Sequence, residues 1–381
     1  MDFSWTEEQL EFKNAAIKFA KNELNADLIE RDRESAFLRE SWQKCADFGV
    51  LGLAVPEAYG GSDADILTTM LVMEGLGYGS KDNGLLFALN AQMWSVQHPI
   101  LAFGTEEQKQ KYLPDLCRGK IIGAHGMSEP DSGSDAYSLR TRAVKVDGGY
   151  ILNGTKMFVT NAPVADLFVV FATVNPDRKM MGVTTFLVDK GTAGCSVGRD
   201  LEKMGLRTSP MGEIILEECF VPDEARLGRE GTGGMVFNSS MEWERGCILA
   251  GHIGAMERQL EETIQYARDR KQFGQSIGKF QAVSNRIAEM KVRLETARLI
   301  LYKVGWLKNE GKSAIMEAAM AKLYLSEAFV QSSMDAIRVR GGYGYMTEFE
   351  VERDFRDALG GTLYSGTSDI QRNIIARLLG L

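Results

Sequence analysis

The sequence predicts an α+β protein built from three parts in the order helical, β-rich, helical. Apolar residues at helical spacing dominate the first 120 residues, short β-rich runs cut by turns fill residues 121–230, and stretches with few helix breakers extend from there to the end. A chain of 381 residues is too long for one hydrophobic core and long enough for two or three. We therefore expect an N-terminal helical domain over 1–120, a middle β-barrel-like domain over 121–230 and a C-terminal four-helix bundle over 231–381.

The N-terminal part repeats its apolar residues at helical intervals. In TEEQLEFKNAAIKFAKNEL the apolar positions include Leu10 and Phe12, and the stretches DILTTMLVMEGLGYG and TEEQKQKYLPDLCRG show the same pattern. Thr105 lies three residues before Gln108, which is the spacing of a capping box. We expect the last of these helices to begin there.

The middle part alternates apolar and polar residues over short runs. RAVKVDGGYILNGTKMFVTNA contains two hairpin signals, Asp147-Gly148-Gly149 and Asn153-Gly154, and we expect a turn at each. Four further runs are predicted to be strands: DLFVVFATV, GVTTFLVDK, CSVGRDL and GEIILEECFVP.

The C-terminal part predicts long helices. GMVFNSSMEWERGCILAGHIGAMERQLEETIQYARDRKQF has few breakers, and two more helical patterns follow at about 279–309 and 313–339. In the final stretch Gly366 breaks the backbone, and Ser368 lies three residues before Gln371, again the capping-box spacing. The apolar face of this last helix consists of Ile370, Ile374, Ile375, Leu378 and Leu379.

Composition excludes several classes of protein. The net charge of −8 argues against nucleic acid or an anionic membrane as the main partner. The start, MDFSWTEEQLEF, lacks the features of a signal peptide, and the longest apolar run, LFVVFATV, is too short to cross a bilayer, so we expect a cytoplasmic enzyme. Five singly spaced cysteines and three histidines without tight ligand spacing predict neither disulfides nor a metal site.

Three short motifs could each bind a cofactor, and each also has an ordinary structural explanation. The loop GMSEPDSGSD can expose backbone N–H groups and hydroxyls to an anion or a polar ring edge, or it can be a plain turn. KMFVTNA places Phe158 and Thr160 where they could stack on and bond to a flat cofactor, or Phe158 could belong to the core. ARDRKQFGQSIGKFQ includes an arginine that could bind a pyrophosphate, or it is a basic helix end favoured by the helix dipole.

Together the motifs GMSEPDSGSD, GTKMFVTN, RKQFGQSIGKFQ and GGYGY resemble those of the acyl-CoA dehydrogenase family of flavoproteins. The resemblance runs from TEEQ near the start to GTSDIQ near the end, and the α–β–α order agrees with it. It implies an acyl-CoA dehydrogenase fold with FAD bound non-covalently between the β domain and the C-terminal bundle. It also implies a homotetramer in which a neighbouring subunit closes the adenine end of the FAD site.

The resemblance further implies which residues bind FAD. Those expected at the isoalloxazine ring and the phosphates, with Phe158 stacking near the flavin and Thr160 bonding near N5, are Met127, Ser128, Gly133, Ser134, Phe158 and Thr160. Those expected at the diphosphate and the adenosine half are Arg270, Gln272, Phe273, Gly342, Thr367 and Asp369. Two positions depart from the family pattern. Arg338 stands where a glutamine is usual, which would add a charge near the diphosphate, and Asp369 stands where a glutamine is common.

The family usually carries its catalytic glutamate at the position of Ser365, and a serine without a neighbouring base cannot remove a carbon-bound proton. A second location for the family's base falls on Glu244 in SSMEWERGC, whereas Glu242 lies on another face of the same helix. The ordinary alternative for Glu244 is a solvated helical glutamate. Arg245 and Tyr364 are expected on the substrate side, with Arg245 ordering the site; its ordinary alternative is a surface ion pair.

Within the family, the finer resemblance is to the L-prolyl-carrier-protein dehydrogenases, through stretches such as YILNGTKMFVTNAPVADLFVV, NPD, SMEWERGC and YSGTSDIQRNIIARLLGL. This resemblance implies an L-prolyl thioester on a phosphopantetheine arm as substrate. Glu244 would remove the Cα proton and FAD N5 would accept the hydride. One cycle would give a pyrroline and two would give a pyrrole, on the way to an antibiotic or toxin.

Two other functions remain open on the sequence alone. A short-chain or branched-chain acyl-CoA dehydrogenase could use the same base on a CoA thioester, and a catalytically silent flavin-binding relative would account for the changed position 365. Reduced flavin would be reoxidised by an electron-transfer flavoprotein or by oxygen.

Overall fold

Helices form the N-terminal part of the computed structural model, which describes residues 4–381. They are α1 (Glu7–Glu23), α2 (Leu28–Glu34), α3 (Arg39–Asp47), α4 (Ile66–Gly79), α5 (Asn83–Gln92), α6 (His98–Phe103) and α7 (Glu106–Cys117). Helix α7 begins with the predicted capping box, because Thr105 and Gln108 exchange their side-chain and backbone hydrogen bonds. Between α5 and α6 the chain forms a π-helical turn over Met93–Gln97, a local widening that is frequent at functional sites.

Helix α1 buries its small residues rather than its large ones. Leu10 and Phe12 are 43% and 50% exposed, whereas Ala16 and Ala20 are fully buried. The reason is a close approach to α4, where a Cβ atom at Gly75 would lie 2.7 Å from the carbonyl oxygen of Lys13. The spacing correctly predicted the helix, but the tight contact selects alanine for the buried face of α1 and glycine for the facing side of α4.

The middle part is an eight-stranded sheet. Its strands are β1 (Gly123–Gly126), β2 (Arg142–Val146), β3 (Gly149–Thr160), β4 (Leu167–Thr173), β5 (Val183–Asp189), β6 (Cys195–Asp200), β7 (Met211–Pro222) and β8 (Arg226–Leu227). The order is β6-β7-β3-β2-β4-β5-β8, with β1 paired in parallel to β4. The predicted strands are confirmed, and so is the β2–β3 hairpin at Asp147-Gly148, where Val146 pairs with Gly149.

The second predicted hairpin, at Asn153-Gly154, is wrong. Both residues lie inside β3, and the register against β7 shifts between Leu152 and Gly154, which marks a β-bulge or irregularity. Gly154 adopts a φ of 147°, and a Cβ atom there would lie 2.5 Å from Thr141 Oγ1. The same residue types favour turns and bulges, and the long pairing with β7 decides between them.

The C-terminal part contains α8 (Gly233–Cys247), α9 (Ala250–Asp269), α10 (Gln281–Asn309), α11 (Ile315–Arg340), α12 (Val351–Gly360) and α13 (Ser368–Leu378), with a small pair of strands, β9 (Lys271–Gln272) and β10 (Gln275–Ser276). The two helices expected at 279–309 and 313–339 are α10 and α11. The breaker-poor stretch before them is divided into α8 and α9 by a bend at Ile248 and Leu249.

The last helix is capped one residue earlier than its sequence suggested. Thr367 is the N-cap, and its hydroxyl accepts a hydrogen bond from the backbone N–H of Ile370 at 3.3 Å. Ser368 instead donates to Glu327 at 2.7 Å, and the Gln371 amide donates to the carbonyl oxygen of Gly366 at 2.7 Å.

Helices from both ends of the chain share one hydrophobic core. Helices α4 and α9 meet so closely that a Cβ atom at Gly77 would lie 1.8 Å from the carbonyl oxygen of Gly251. Within residues 4–381 no helix has the length and apolar content that a bilayer crossing requires. The domain limits at residues 120 and 230 stay a prediction.

Candidate functional site

A cavity of about 1030 Å³ opens where the three parts of the chain meet. Its walls come from α5 and the π-helical turn, from β1 and β3 of the sheet, from α8, and from the segment that leads into α13. Its size and mixed polar and apolar lining are typical of a site for a cofactor together with a small substrate.

Glu244 lies on the cavity side of α8 with only 8% of its surface exposed. Its Oε1 accepts a hydrogen bond from the Ser365 hydroxyl, and its Oε2 accepts one from the Ser95 hydroxyl. Ser95 belongs to the π-helical turn, and Ser365 belongs to the loop before α13. Both oxygens of one carboxylate are therefore held by hydroxyls from opposite walls of the cavity.

The surroundings of Glu244 act on its pKa in opposing directions. Burial raises the pKa of the carboxyl, while the hydrogen bonds from Ser365 and Ser95 and the charges of Arg245 and Lys322 lower it. Burial is the largest of these effects, and the pKa ends above the usual value. A carboxylate with a raised pKa is a better proton acceptor, and the two hydroxyls fix the direction in which it points.

Arg245 orders the loop that carries Ser365. Its Nε donates to the carbonyl oxygen of Ser365 at 2.8 Å, and the amide of Gln371 donates to the same oxygen at 3.2 Å. Ser365 adopts a φ of 56°, in the left-handed region that is uncommon for residues other than glycine. These contacts fix the backbone at Ser365, whose hydroxyl bonds to Glu244. The role of Arg245 in ordering the site stays a prediction.

Tyr364 also lines the cavity. Its ring packs against Phe87 with the centroids 4.5 Å apart. Within residues 4–381 its buried hydroxyl has no hydrogen-bond partner. Burial holds the pKa of Tyr364 well above its usual value, so the phenol keeps its proton.

Glu242 has different partners from Glu244. Its Oε1 lies 3.0 Å from Lys308 Nζ and accepts from the backbone N–H of Ala314 at 3.3 Å. Lys308 is almost fully buried and also lies over the Trp243 ring, 4.0 Å from its centroid. Glu242 also lines the cavity, but its carboxylate is fixed by an ion pair to the bundle.

One wall of the cavity fits a flat aromatic cofactor with a polar tail. Phe158 has 59% of its surface exposed and a φ of 57°, and the β3–β7 register shifts between Lys156 and Val159, so an irregularity in the strand turns this ring outward. The hydroxyl-bearing residues Ser128, Ser134 and Thr160 line the same cavity, and a Cβ atom at Gly133 would meet nothing within 4 Å. The predicted FAD residues that line this cavity are Met127, Ser128, Gly133, Ser134, Phe158, Thr160 and Thr367.

The loop on this wall rests on a buried ion pair. Lys156 Nζ lies 2.6 Å from Glu129 Oε1, and both side chains are almost completely buried. The Glu129 carboxylate also accepts from the backbone N–H groups of Arg140 and Thr141 at 2.6 and 3.1 Å. These bonds satisfy the buried charge and fix the loop in place.

The remaining predicted FAD residues lie elsewhere. A second cavity of about 570 Å³ is lined by Arg270, Gln272, Arg338 and Gly342, and the Arg270 guanidinium stacks on Tyr343 at 5.5 Å. Phe273 is 94% exposed, and the Asp369 side chain is 87% exposed and pairs with Arg372 at 2.8 Å. Neither of these two residues lines either cavity. The described chain thus divides the predicted FAD residues between two cavities and the exposed surface. The expectation that a neighbouring subunit closes the adenine end stays a prediction.

Sequence reasoning missed Ser95 and Lys322. Ser95 lies 149 residues from Glu244 in the chain and carries no motif. Lys322 is fully buried on α11, and its Nζ has no hydrogen-bond partner among residues 4–381. Burial and the nearby Arg245 lower the pKa of Lys322 to about 7. Over the same described residues, no group of three or more His, Cys, Asp or Glu side chains is arranged to hold a metal.

Comparison with known proteins gives consistent results over the whole chain. The models for the acyl-CoA dehydrogenase N-terminal, middle and C-terminal domains match residues 6–120, 124–219 and 231–380. An L-prolyl-[peptidyl-carrier protein] dehydrogenase from a Serratia species is 44% identical over 100% of this chain and 99% of its own length.

Two solved structures are also similar over nearly their full length. The prolyl acyl carrier protein oxidase AnaB matches with a TM-score of 0.98 and 54% identity, covering 99% of this chain and 100% of that one. The structure of PigA with FAD and proline matches with a TM-score of 0.98 and 43% identity, covering 100% of both chains. With three domain models in order and relatives of this identity, the chain belongs to the acyl-CoA dehydrogenase family.

Proposed function

We propose that this protein is an FAD-dependent dehydrogenase that oxidises an L-prolyl thioester carried on the phosphopantetheine arm of a carrier protein. The observation that supports this most directly is the buried Glu244, held in the central cavity by Ser95 and Ser365. The similarity to AnaB, to PigA and to the Serratia enzyme supports the prolyl substrate and the carrier.

Glu244 is the group that acts on the substrate. The Cα–H of a thioester is weakly acidic, so its removal requires a carboxylate in a site shielded from water. One oxygen of Glu244 accepts the Cα proton, while the Ser95 and Ser365 hydroxyls keep the carboxylate directed at the cavity. The burial that raises the pKa of Glu244 increases its basicity for this step.

The wall formed by Met127, Ser128, Phe158 and Thr160 would hold the ring of FAD, and Arg270 and its neighbours in the second cavity would hold the diphosphate half of FAD in an adjacent subunit. When bound, FAD supplies the acceptor for two electrons and the second hydrogen. Phe158 offers the exposed aromatic face for stacking, and Thr160 offers a hydroxyl beside it.

The test is mass spectrometry of a prolyl-loaded carrier domain after exposure to the enzyme. A loss of about two mass units corresponds to one oxidation to a pyrroline, and a loss of about four to two oxidations to a pyrrole. An unchanged mass, with flavin reduction by an acyl-CoA instead, would contradict the prolyl assignment.

A second candidate is an acyl-CoA dehydrogenase of the short-chain or branched-chain type with the same base. It is favoured by a Bacillus subtilis protein named acyl-CoA dehydrogenase, which is 39% identical over 98% of this chain. Prolyl-CoA and isovaleryl-CoA, offered beside the prolyl-loaded carrier, separate the two candidates by which of them bleaches the flavin.

A homotetramer, reoxidation by an electron-transfer flavoprotein or by oxygen, and a cytoplasmic location are further proposals for this protein. The domain limits at 120 and 230 belong with them. Size-exclusion chromatography with light scattering tests the first, and reoxidation kinetics with each acceptor tests the second.

A further inference from the structure

The lip of the central cavity is formed by Tyr137 and Asn238, which both line it. The Tyr137 hydroxyl donates to Asn238 Oδ1 at 2.7 Å, and the Asn238 amide donates to Met180 Sδ at 3.7 Å. Asn238 therefore joins the cavity to the exposed segment that contains Met180.

That segment packs on the start of α8. A Cβ atom at Gly231 would lie 2.8 Å from the carbonyl oxygen of Met181, and one at Gly234 would lie 2.2 Å from Met180 Cγ. The glycines allow the two segments to approach and form one continuous surface beside the lip. We call this surface the entrance patch and define it as Arg178, Lys179, Met180, Met181, Arg229 and Met235.

The entrance patch exposes flexible apolar side chains. Met180, Met181 and Met235 are 38%, 58% and 60% exposed. Methionine is over-represented on surfaces that bind other proteins, because its unbranched side chain adapts to the partner. Three exposed methionines that adjoin one another therefore indicate a contact surface rather than scattered apolar residues.

The patch also carries unpaired positive charge. Arg178, Lys179 and Arg229 are exposed, and in the described residues 4–381 none of their side chains forms an ion pair or a side-chain hydrogen bond. Two carboxylates border the patch, Asp177 and Glu230, and the second accepts a hydrogen bond from the Tyr150 hydroxyl. On a chain with a net charge of −8, a local surplus of cations favours an acidic partner.

Helix α8 connects the patch to the base. From Met235 to Glu244 the helix advances nine residues, which is about 14 Å at 1.5 Å per residue. The residues of α8 that line the cavity include Asn238, Met241 and Arg245, which recur at helical spacing and therefore lie along one side of the helix. An extended pantetheine arm is long enough to reach Glu244 from this entrance.

We propose that the entrance patch is the docking surface for the carrier domain, an inference that rests on the proposed function. The acidic face of the carrier binds Arg178, Lys179 and Arg229, and its apolar residues pack on the methionines. Its arm enters beside the hydrogen-bonded pair Tyr137 and Asn238. The patch thereby selects the carrier-bound thioester over the same thioester on a free arm.

The test compares one acyl group on two carriers. Arg178→Glu and Arg229→Glu, singly and together, are assayed with an L-prolyl carrier domain and with L-prolyl-pantetheine. We expect the ratio of kcat/KM for the carrier to kcat/KM for prolyl-pantetheine to fall about ten-fold in the double variant, because the reversed charges repel the carrier alone. The matched control for each single variant is Lys18→Glu, which makes the same charge change of two units on exposed α1, away from the cavity lining, and leaves the ratio unchanged.

A ratio that stays constant in the double variant, with prolyl-pantetheine still oxidised, would overturn the docking proposal and leave the proposed function intact. A native enzyme that oxidises neither prolyl substrate would contradict the proposed function instead. Fluorescence anisotropy with a labelled prolyl carrier domain then tests docking without turnover. Weaker binding to each single variant than to Lys18→Glu supports the docking surface, and equal binding refutes it.

Discussion

Helix α8 carries two glutamates, Glu242 and Glu244, only two residues apart, and their carboxylates bind different kinds of partner. Glu244 meets two hydroxyls and is almost completely buried, whereas Glu242 meets the buried ammonium of Lys308. An ion pair stabilises the charge of a carboxylate in place, while neutral donors orient it and leave it able to take a proton. Burial and the chemistry of the partner together separate the proposed base from its structural neighbour, because burial raises the pKa of Glu244 and only Glu242 is paired with a cation.

Glu244→Gln tests most directly whether Glu244 is the base. Because the amide cannot accept the proton, we expect flavin reduction by the prolyl carrier to slow by about 10²- to 10⁴-fold. Anaerobic stopped-flow absorbance measures the rate, and the flavin spectrum of the purified variant shows whether FAD is retained. Turnover near the native rate would remove Glu244 from the mechanism.

Ser365→Ala tests what a hydroxyl bonded to Glu244 contributes. The Ser365 hydrogen bond lowers the pKa of Glu244, so its loss raises that pKa further. Since the base works only when ionised, the acidic limb of the pH–rate profile moves to higher pH. Above that limb, where Glu244 is ionised, we expect kcat to fall about ten-fold, because the carboxylate loses one of the two hydroxyls that orient it.

Ser365→Gly is the control for backbone effects, because glycine accepts the positive φ without cost and also lacks the hydroxyl. If alanine and glycine move the acidic limb equally, the hydroxyl is responsible. If the limb stays in place for both, Ser365 does not act on the base.

Lys322→Met is expected to have a smaller effect on the rate. The charge of Lys322 lowers the pKa of Glu244 and is the smallest of the four effects that do so. The acidic limb of the pH–rate profile should therefore move to higher pH by less than in Ser365→Ala.

The same variant tests an effect on stability. The native lysine has a pKa lowered from 10.5 to about 7 by burial, and the unfolded chain therefore binds more protons between these values. Native stability rises with pH in that window, and this slope should be absent from the methionine variant. Thermal unfolding of the native protein and of Lys322→Met, measured from pH 7 to 10, checks both the rise in stability and its absence from the variant.

Among these variants, Glu242→Gln should have the smallest effect on turnover and the largest effect on the free energy of unfolding. It leaves Lys308 buried without its carboxylate, at a cost of about 2 kcal/mol. The variant should therefore unfold at a lower temperature while its flavin reduction rate stays close to native. A fall in rate comparable to that of Glu244→Gln would show that the two sides of the helix do not differ in function.

Local patterns predicted most of the fold because helices and strands repeat their spacing over short windows. The order helical, β-rich, helical and the family were confirmed, and the family resemblance selected Glu244 over Glu242. The role proposed for Glu244 stays a prediction. Asn153-Gly154 was misread as a turn because a bulge uses the same residue types, and only the partner strand distinguishes them.

The hydroxyls around the base could not be predicted in the same way. Ser95 reaches Glu244 through the packing of an N-terminal π-helical turn against α8, a contact between positions 149 residues apart. Position 365 was interpreted as the loss of a carboxylate, and the structure instead gives its hydroxyl a partner. Such contacts depend on tertiary packing, for which a single sequence carries no periodic signal.

The left-handed backbone conformation at Ser365 limits which amino acids can occupy this position. Valine, isoleucine and threonine are poorly tolerated at such a φ, because their branched Cβ crowds the chain. Natural variants should therefore be drawn from glycine, asparagine and unbranched residues.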